Sequence, residues 1–256
     1  MKWRKAMLNK TRLRFERLAL LLILLALWEY AVRSGHVDIF FFPRPIDIMT
    51  RVAEWCQTKN FWKDFSTTLT ETVLGYFVGT ATGIASGVYL ALNPRVHGIL
   101  DPFIKALNSI PRVVLAPIFI LWFGLGVSSK VALAVTLVFF VTFFNALQGV
   151  REVDSVVLNN ARILGASRSN LLRHVYFPAA ASWILSSLRT SVGFAVVGAV
   201  IGEYLGSSSG LGHRIAQAQG LFDSTGVFAG IAVLSAFVLI LDMLLDRAEA
   251  RLSRWR

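Results

Sequence analysis

REVDSVVLNNARILGASRSNLLRHVYFP, residues 151–178, is a polar island with strongly apolar runs on both sides. Within it Val153, Val157, Ala161 and Leu164 recur at the spacing of one helical face, while Glu152, Asp154, Asn159 and Arg162 fall elsewhere. This predicts a short amphipathic helix ending near Gly165, where the missing side chain allows the left-handed backbone that closes a helix. Ser167 is placed to accept the free amides opening a second helix, which carries Leu171, Leu172 and Val175. Pro178 either ends that second helix or opens the following one. The expected product is two short helices hinged at a glycine, a knob between membrane spans.

The flanking runs set the class. Of 256 residues 55% are hydrophobic, and the mean hydropathy of +0.60 exceeds what a soluble core requires, so much of the surface has to face lipid. The expected fold is all-α, a polytopic membrane protein with about six transmembrane helices. A net charge of +11 raises nucleic acid as a partner, but the Lys and Arg residues sit between apolar runs. That distribution orients a chain in a lipid bilayer and supplies no basic groove, so no nucleic-acid partner is expected. The single cysteine, Cys56, excludes an internal disulfide and a cysteine-based metal cluster; it is read as an unpaired filler.

Residues 1–17 form a basic stretch with seven Lys or Arg against one Glu, and residues 18–256 form the membrane domain. Leu18 to Leu27 has the look of a signal-peptide core, yet Trp28, Glu29 and Tyr30 follow where small residues would mark cleavage. An uncleaved first span over 18–32 is therefore expected, short enough that Trp28 and Tyr30 sit at the interface. Residues 46–56 read as an amphipathic helix on the outer surface. The second span, 66–92, carries Gly75, Gly79, Gly83 and Gly87 at intervals of four, a groove into which another helix backbone can pack. Glu71 and Glu203, near the outer ends of their spans, are read as solvated carboxylates.

Residues 101–123 are the least regular apolar segment. Pro111 and Pro117 each remove an internal amide, and broken helices at membrane depth occur where protein or a watery cavity satisfies the freed carbonyls. Both prolines are accordingly candidates for the translocation path, with a packing kink as the plainer reading. After an outer turn at 124–130, a fourth span covers 131–147, a fifth 180–204 and a sixth 227–245. Arg189 lies inside the fifth. It either adds positive potential to an anion path or ties a carboxylate or helix-end carbonyl. Gly193, Gly198 and Gly202 suggest close packing. Residues 206–226 read as an outer loop or re-entrant turn, in which His213 has no second ligand at metal spacing.

Around Gly165 the residues also carry a resemblance. Asn159, Asn160 and Ala161 precede it by six to four places, and Val175, Phe177 and Pro178 follow at ten, twelve and thirteen. This resembles the cytoplasmic coupling loop of permease subunits in binding-protein-dependent ABC importers, whose pattern is Glu-Ala-Ala, three residues, Gly, nine residues, Ile, any, Leu-Pro. Ala161, Gly165 and Pro178 match; Asn159 and Asn160 depart, so no ion pair to the ATPase is implied there. The resemblance assigns ATPase coupling to Asn159, Asn160, Ala161, Gly165, Ala166, Ser167, Val175, Phe177 and Pro178. The strings FFPRP, IPRVVLAPIFILWFGLG and FDSTGVFAGI are similar to the nitrate, sulfonate and taurine branch. What this implies is a pair of permeases, cytoplasmic ATPase subunits using ATP and Mg, an external or periplasmic solute-binding protein, and a small anion as solute. Relatives handling thiamine-precursor pyrimidines look much the same. No cofactor is expected on this chain.

With the N-terminus inside, segments 1–17, 93–105, 151–178 and 246–256 hold 7, 2, 4 and 4 of the 26 Lys and Arg, against 5, 1 and 1 in segments 33–65, 124–130 and 203–226. Both termini and the knob are thus expected in the cytoplasm, with the protein in the cell inner (plasma) membrane. No GxxxxGK[ST] or HExxH pattern occurs, and no nucleophile or metal cluster is read at membrane depth, so neither nucleotide hydrolysis nor intramembrane hydrolysis is expected of this chain. Six spans without internal repeat are few for a secondary transporter. A passive channel or scaffold is the rival class, and it would make the polar island a loop tolerant of change.

Overall fold

A computed structural model describes residues 2–252, and among these every regular element is helical. In chain order they are α1 (Lys2–Arg33), α2 (Pro45–Cys56), α3 (Lys59–Leu92), α4 (Pro94–Ser109), a single 3-10 turn (Arg112–Leu115), α5 (Ala116–Phe123), α6 (Val127–Arg151), α7 (Ser155–Ile163), α8 (Arg168–Leu171), a π-helical turn (Leu172–Tyr176), α9 (Phe177–Leu205), α10 (Leu211–Gly220) and α11 (Ser224–Leu252).

Among the described residues four helical stretches are long and apolar enough to cross a membrane: Lys59–Leu92, Val127–Arg151, Ser169–Leu205 and Ser224–Leu245. The pair Pro94–Ser109 and Arg112–Phe123, bent by 87° at its break, is apolar enough to add a fifth if the two halves form one broken span. The span expected over 18–32 lies within α1, but its apolar run covers only roughly 22 Å at 1.5 Å per residue, less than the ~30 Å hydrocarbon core. Leu20 to Leu24 and Leu27 are nonetheless exposed along α1, as a lipid-facing surface requires. The C-terminal end of α1 is held by Glu29, which accepts from the Ile46 N–H at 3.4 Å, and by Trp28 against the ring of Phe228 at 5.8 Å.

The core is α3, α6 and α9 packed backbone to backbone. Built onto the four glycines of α3, a Cβ would meet Ala134 Cβ at 2.4 Å from Gly75, Val138 Cβ at 2.7 Å from Gly79, Thr142 Oγ1 at 2.0 Å from Gly83, and the Phe143 carbonyl at 2.5 Å from Gly87. Two rows with a four-residue repeat therefore lie against each other, which in lipid, with no water to expel between helices, is what van der Waals packing demands. Ala134 is used twice, since a Cβ on Gly198 of α9 would lie 2.4 Å from its Cα. Gly193, grouped with these from sequence, faces open space.

Several boundaries differ from the sequence reading, each for a local reason. Thr58 caps α3 by accepting the Phe61 N–H, so that helix starts before the apolar run. The turn before α6 shrinks to 124–126, because Ser129 Oγ donates to the Gly124 and Gly126 carbonyls at 2.7 and 3.0 Å and stabilises the first turn of the helix. Lys130, placed in that outer turn from sequence, is fully buried in α6, its Nζ donating to the Leu125 carbonyl at 2.6 Å. The segment 206–226 is more than a turn: it contains α10. Of the two readings of Pro178, the second holds: it stands in the first turn of α9, and just before it the Phe177 N–H reaches back five residues to the Leu172 carbonyl in a π-turn. The second short helix thus runs on into the fifth span.

Candidate functional site

The knob is built by three local devices. Asp154 Oδ1 accepts the Val156 N–H at 2.7 Å and starts α7. Gly165, at φ +79°, closes it, with the Gly165 N–H on the Arg162 carbonyl and the Ala166 N–H on the Ala161 carbonyl, both at 3.0 Å. Ser167 Oγ then accepts the Asn170 N–H at 3.2 Å and opens α8. Asn159, Asn160, Ala161, Gly165, Ala166 and Ser167 are gathered in this one hairpin, with both asparagines exposed. Val175 lies in the π-turn, while Phe177 and Pro178 stand exposed at the start of α9. The apolar side chains of α7 are not buried on their own chain: Ile163 is 83% and Leu164 86% exposed, and Val156 and Val157 are open as well.

The break between α4 and α5 opens on a cavity of about 540 Å³ lined by Asn108, Ser109, Pro111, Arg112, Phe140, Phe144, Asn145 and Phe194, among others. Pro111 therefore borders this space. Pro117 lies elsewhere, exposed in the first turn of α5, and Arg189 lies exposed on α9 outside the cavity lining. The two residues that give the cavity its polarity at the break, Asn108 and Arg112, were not among the site residues singled out from sequence; a cation between two prolines was the available signal.

On the opposite end from the knob, α10 is clamped to α3 and α9. Glu203 is fully buried, not solvated: its Oε1 accepts from Thr68 Oγ1 at 2.6 Å and its Oε2 from the Gly212 N–H at 2.7 Å. Thr68 Oγ1 in turn accepts the Leu211 N–H at 2.9 Å. Asp64 takes the Gly210 N–H at 3.0 Å and Arg214 Nη2 at 2.6 Å, and the Arg214 guanidinium lies 4.9 Å from the centre of the Trp55 ring on α2. Arg51 pairs with Asp223, tying α2 to the α10–α11 turn. Gly210 and Gly212 are obligatory here, because a Cβ at Gly210, already at φ +116°, would strike the Glu203 carboxylate and one at Gly212 would strike the Val200 carbonyl. Glu71, the second carboxylate read as solvated, is also buried, within electrostatic reach of Glu203 and Lys130. Among the described residues no group of His, Cys, Asp and Glu could hold a metal ion.

Residues 65–254 match the family profile described as the binding-protein-dependent transport system inner membrane component. An aliphatic sulfonates transport permease protein of Bacillus subtilis, SsuC, is 30% identical over 91% of this chain and 85% of its own length. The taurine transport system permease protein TauC of Escherichia coli is 30% identical over 100% of this chain and 94% of its own. The formylaminopyrimidine transport permease protein ThiX of Halalkalibacterium halodurans is 33% identical over 92% and 93%. Among solved structures, an inward-facing conformation of the MetNI methionine ABC transporter matches with a TM-score of 0.62 at 19% identity, over 71% of this chain and 91% of that one, which concerns the fold. In such transporters ATP hydrolysis belongs to a separate subunit, so this chain is not catalytic. With its family match, its spans and its helical core, this multi-pass inner-membrane chain belongs to the binding-protein-dependent transport system inner membrane components, the permease subunits of ABC importers.

Proposed function

We propose that this permease carries a small sulfonate-type anion, works as a homodimer, and receives the work of a cytoplasmic ATPase through the knob at residues 151–178. The observation that carries the coupling role is the exposure of Ile163 and Leu164 beside the Gly165 hinge. Two large apolar side chains at the tip of a polar loop, with no cover from their own chain, suit the cleft of a partner protein. Hydrolysis of ATP, with its Mg, takes place in that partner. Closure of two ATPase subunits would push the knobs, and because α8 runs through the π-turn into α9, the push would pass directly into a core helix. Both termini would then be cytoplasmic, and an external solute-binding protein would deliver solute at the face that holds α2 and α10.

The substrate class rests on the relatives named for aliphatic sulfonates and taurine. A pyrimidine of the thiamine-precursor kind is the second reading, favoured by the 33% identity to ThiX. Pull-down of the permease in mild detergent, wild type beside Gly165→Pro, tests the coupling role. Proline cannot adopt φ +79°, so the hinge is lost while the spans are untouched. An ATPase recovered with wild type and lost with the variant is the expected result; equal recovery with both would remove the knob from the coupling surface.

A further inference from the structure

We infer that the cavity at the α4–α5 break is an anion-selective station on the translocation path, with the Arg112 guanidinium as its fixed positive charge and small monovalent anions, sulfonates included, as its ligands. This rests on the reading of the chain as a transport path but not on the identity of the solute. The cavity lies at mid-depth: Phe140 is next to the middle residue of α6, Phe194 is close to the middle of α9, and the break divides the bent pair. At about 540 Å³ it has room for a small anion with part of its hydration shell, given about 30 Å³ per water.

Arg112 is locked in place. Its Nη1 donates to the Leu107 and Ile110 carbonyls at 2.9 and 2.6 Å, its Nη2 to the Asn108 carbonyl and Oδ1 at 3.1 and 2.8 Å, and it sits 4.6 Å from the centre of the Phe140 ring. All of these partners are neutral, so among the described residues no carboxylate cancels the charge. A charge held at membrane depth without a counter-ion marks an ion path more often than a packing element. The lock also decides what kind of site this is. With four N–H groups already engaged, Arg112 attracts an anion through its field and offers no fork to chelate it. A conduction station needs that combination, since solute must leave as readily as it enters. Asn108, Ser109 and Asn145 supply polar edges, and Phe140, Phe144 and Phe194 the walls. A purely structural role, capping the last carbonyls of α4, accounts for the hydrogen bonds but not for a polar cavity around the charge.

The single native cysteine makes a solute-independent test available. In a Cys56→Ser background, Asn145→Cys is reacted in the detergent-solubilised permease–ATPase complex, with and without nucleotide. The probes are the anionic 2-sulfonatoethyl and the cationic 2-(trimethylammonio)ethyl methanethiosulfonates, each rate normalised to that of exposed Cys56 in the otherwise native chain. The expected result is a normalised anion-to-cation ratio well above one, lowered about tenfold by Arg112→Gln, kept by Arg112→Lys, and falling towards one in 1 M salt. No reaction in either nucleotide state, or a ratio that neither Arg112→Gln nor salt moves, overturns the proposal. The salt series needs no substitution at Arg112, so it decides the matter even if Arg112→Gln fails to assemble. If the ratio behaves as expected while the complex takes up no sulfonate, the station stands and the substrate class proposed above falls.

Discussion

Glu203 shows how much a single buried carboxylate can organise. It accepts a hydroxyl from α3 and an amide from the first turn of α10, and so satisfies a donor that the start of a helix leaves free. Glu203→Ala leaves the Gly212 N–H without its acceptor in a buried site, at about 1–3 kcal/mol, and adds the cost of the space the side chain vacates. Thermal unfolding of the purified complex should show that loss, and amide exchange should accelerate at 211–215. Glu203→Gln should cost less than half as much. Its oxygen can keep the Gly212 bond, while Thr68 Oγ1 turns its proton to the Asp64 carbonyl, which is already 3.2 Å away. Equal losses for the two variants would show that the clamp depends on the charge itself. None of this was legible in the sequence: a glutamate near the end of a span looks the same whether it meets water or the end of another helix. The one available signal was GLG at 210–212, two glycines set against a close neighbour, the first also at positive φ.

Elements were easier to read than their ends. The four-residue glycine repeat of α3 is a property of one helix and can be seen in a linear sequence; that its partner is the row Ala134, Val138, Thr142 on α6 cannot. The structure turns the repeat into a graded test. Gly83→Ala sets a methyl 2.0 Å from Thr142 Oγ1 and 2.6 Å from the Phe139 carbonyl, and since backbone cannot rotate away, a loss of about 1–3 kcal/mol is expected. Gly193→Ala, with nothing within 4 Å, should be neutral or slightly stabilising, as alanine is the better helix former by about 1 kcal/mol. Unfolding temperatures of the two variants in the same detergent check this, and a Gly83→Ala protein as stable as wild type would mean that α3 and α6 do not touch along this row. The break at 110–111 was likewise visible, because proline removes a donor wherever it stands. The π-turn was not, because it is a change of hydrogen-bond register just before Pro178, a choice set by tertiary packing.

For the whole molecule, the structure fixes which ends share a side. Val88 of α3, Val150 of α6 and Leu172 of the π-turn line one cavity behind the knob, while Asp64 of α3, Glu203 of α9 and α10 meet at the other end. Which end faces the cytoplasm is then a question of charge alone. One correction sharpens the sequence count: Lys130 leaves the outer tally because it is buried within α6. The basic residues of the loops then concentrate further on the knob side, and 33–65 together with Arg214 works against the bias. The rule counts Lys and Arg rather than net charge, so the ion pairs of that segment do not discount it; with Lys130 removed the outer segments hold six, against 17 on the knob side. A fluorescent protein fused after Arg256 should therefore be bright, and alkaline phosphatase should be active when inserted at Ser208 and inactive at the C-terminus. The reverse pattern would put the knob outside the cell, out of reach of any ATPase, and with it the coupling role proposed for residues 151–178 would fail.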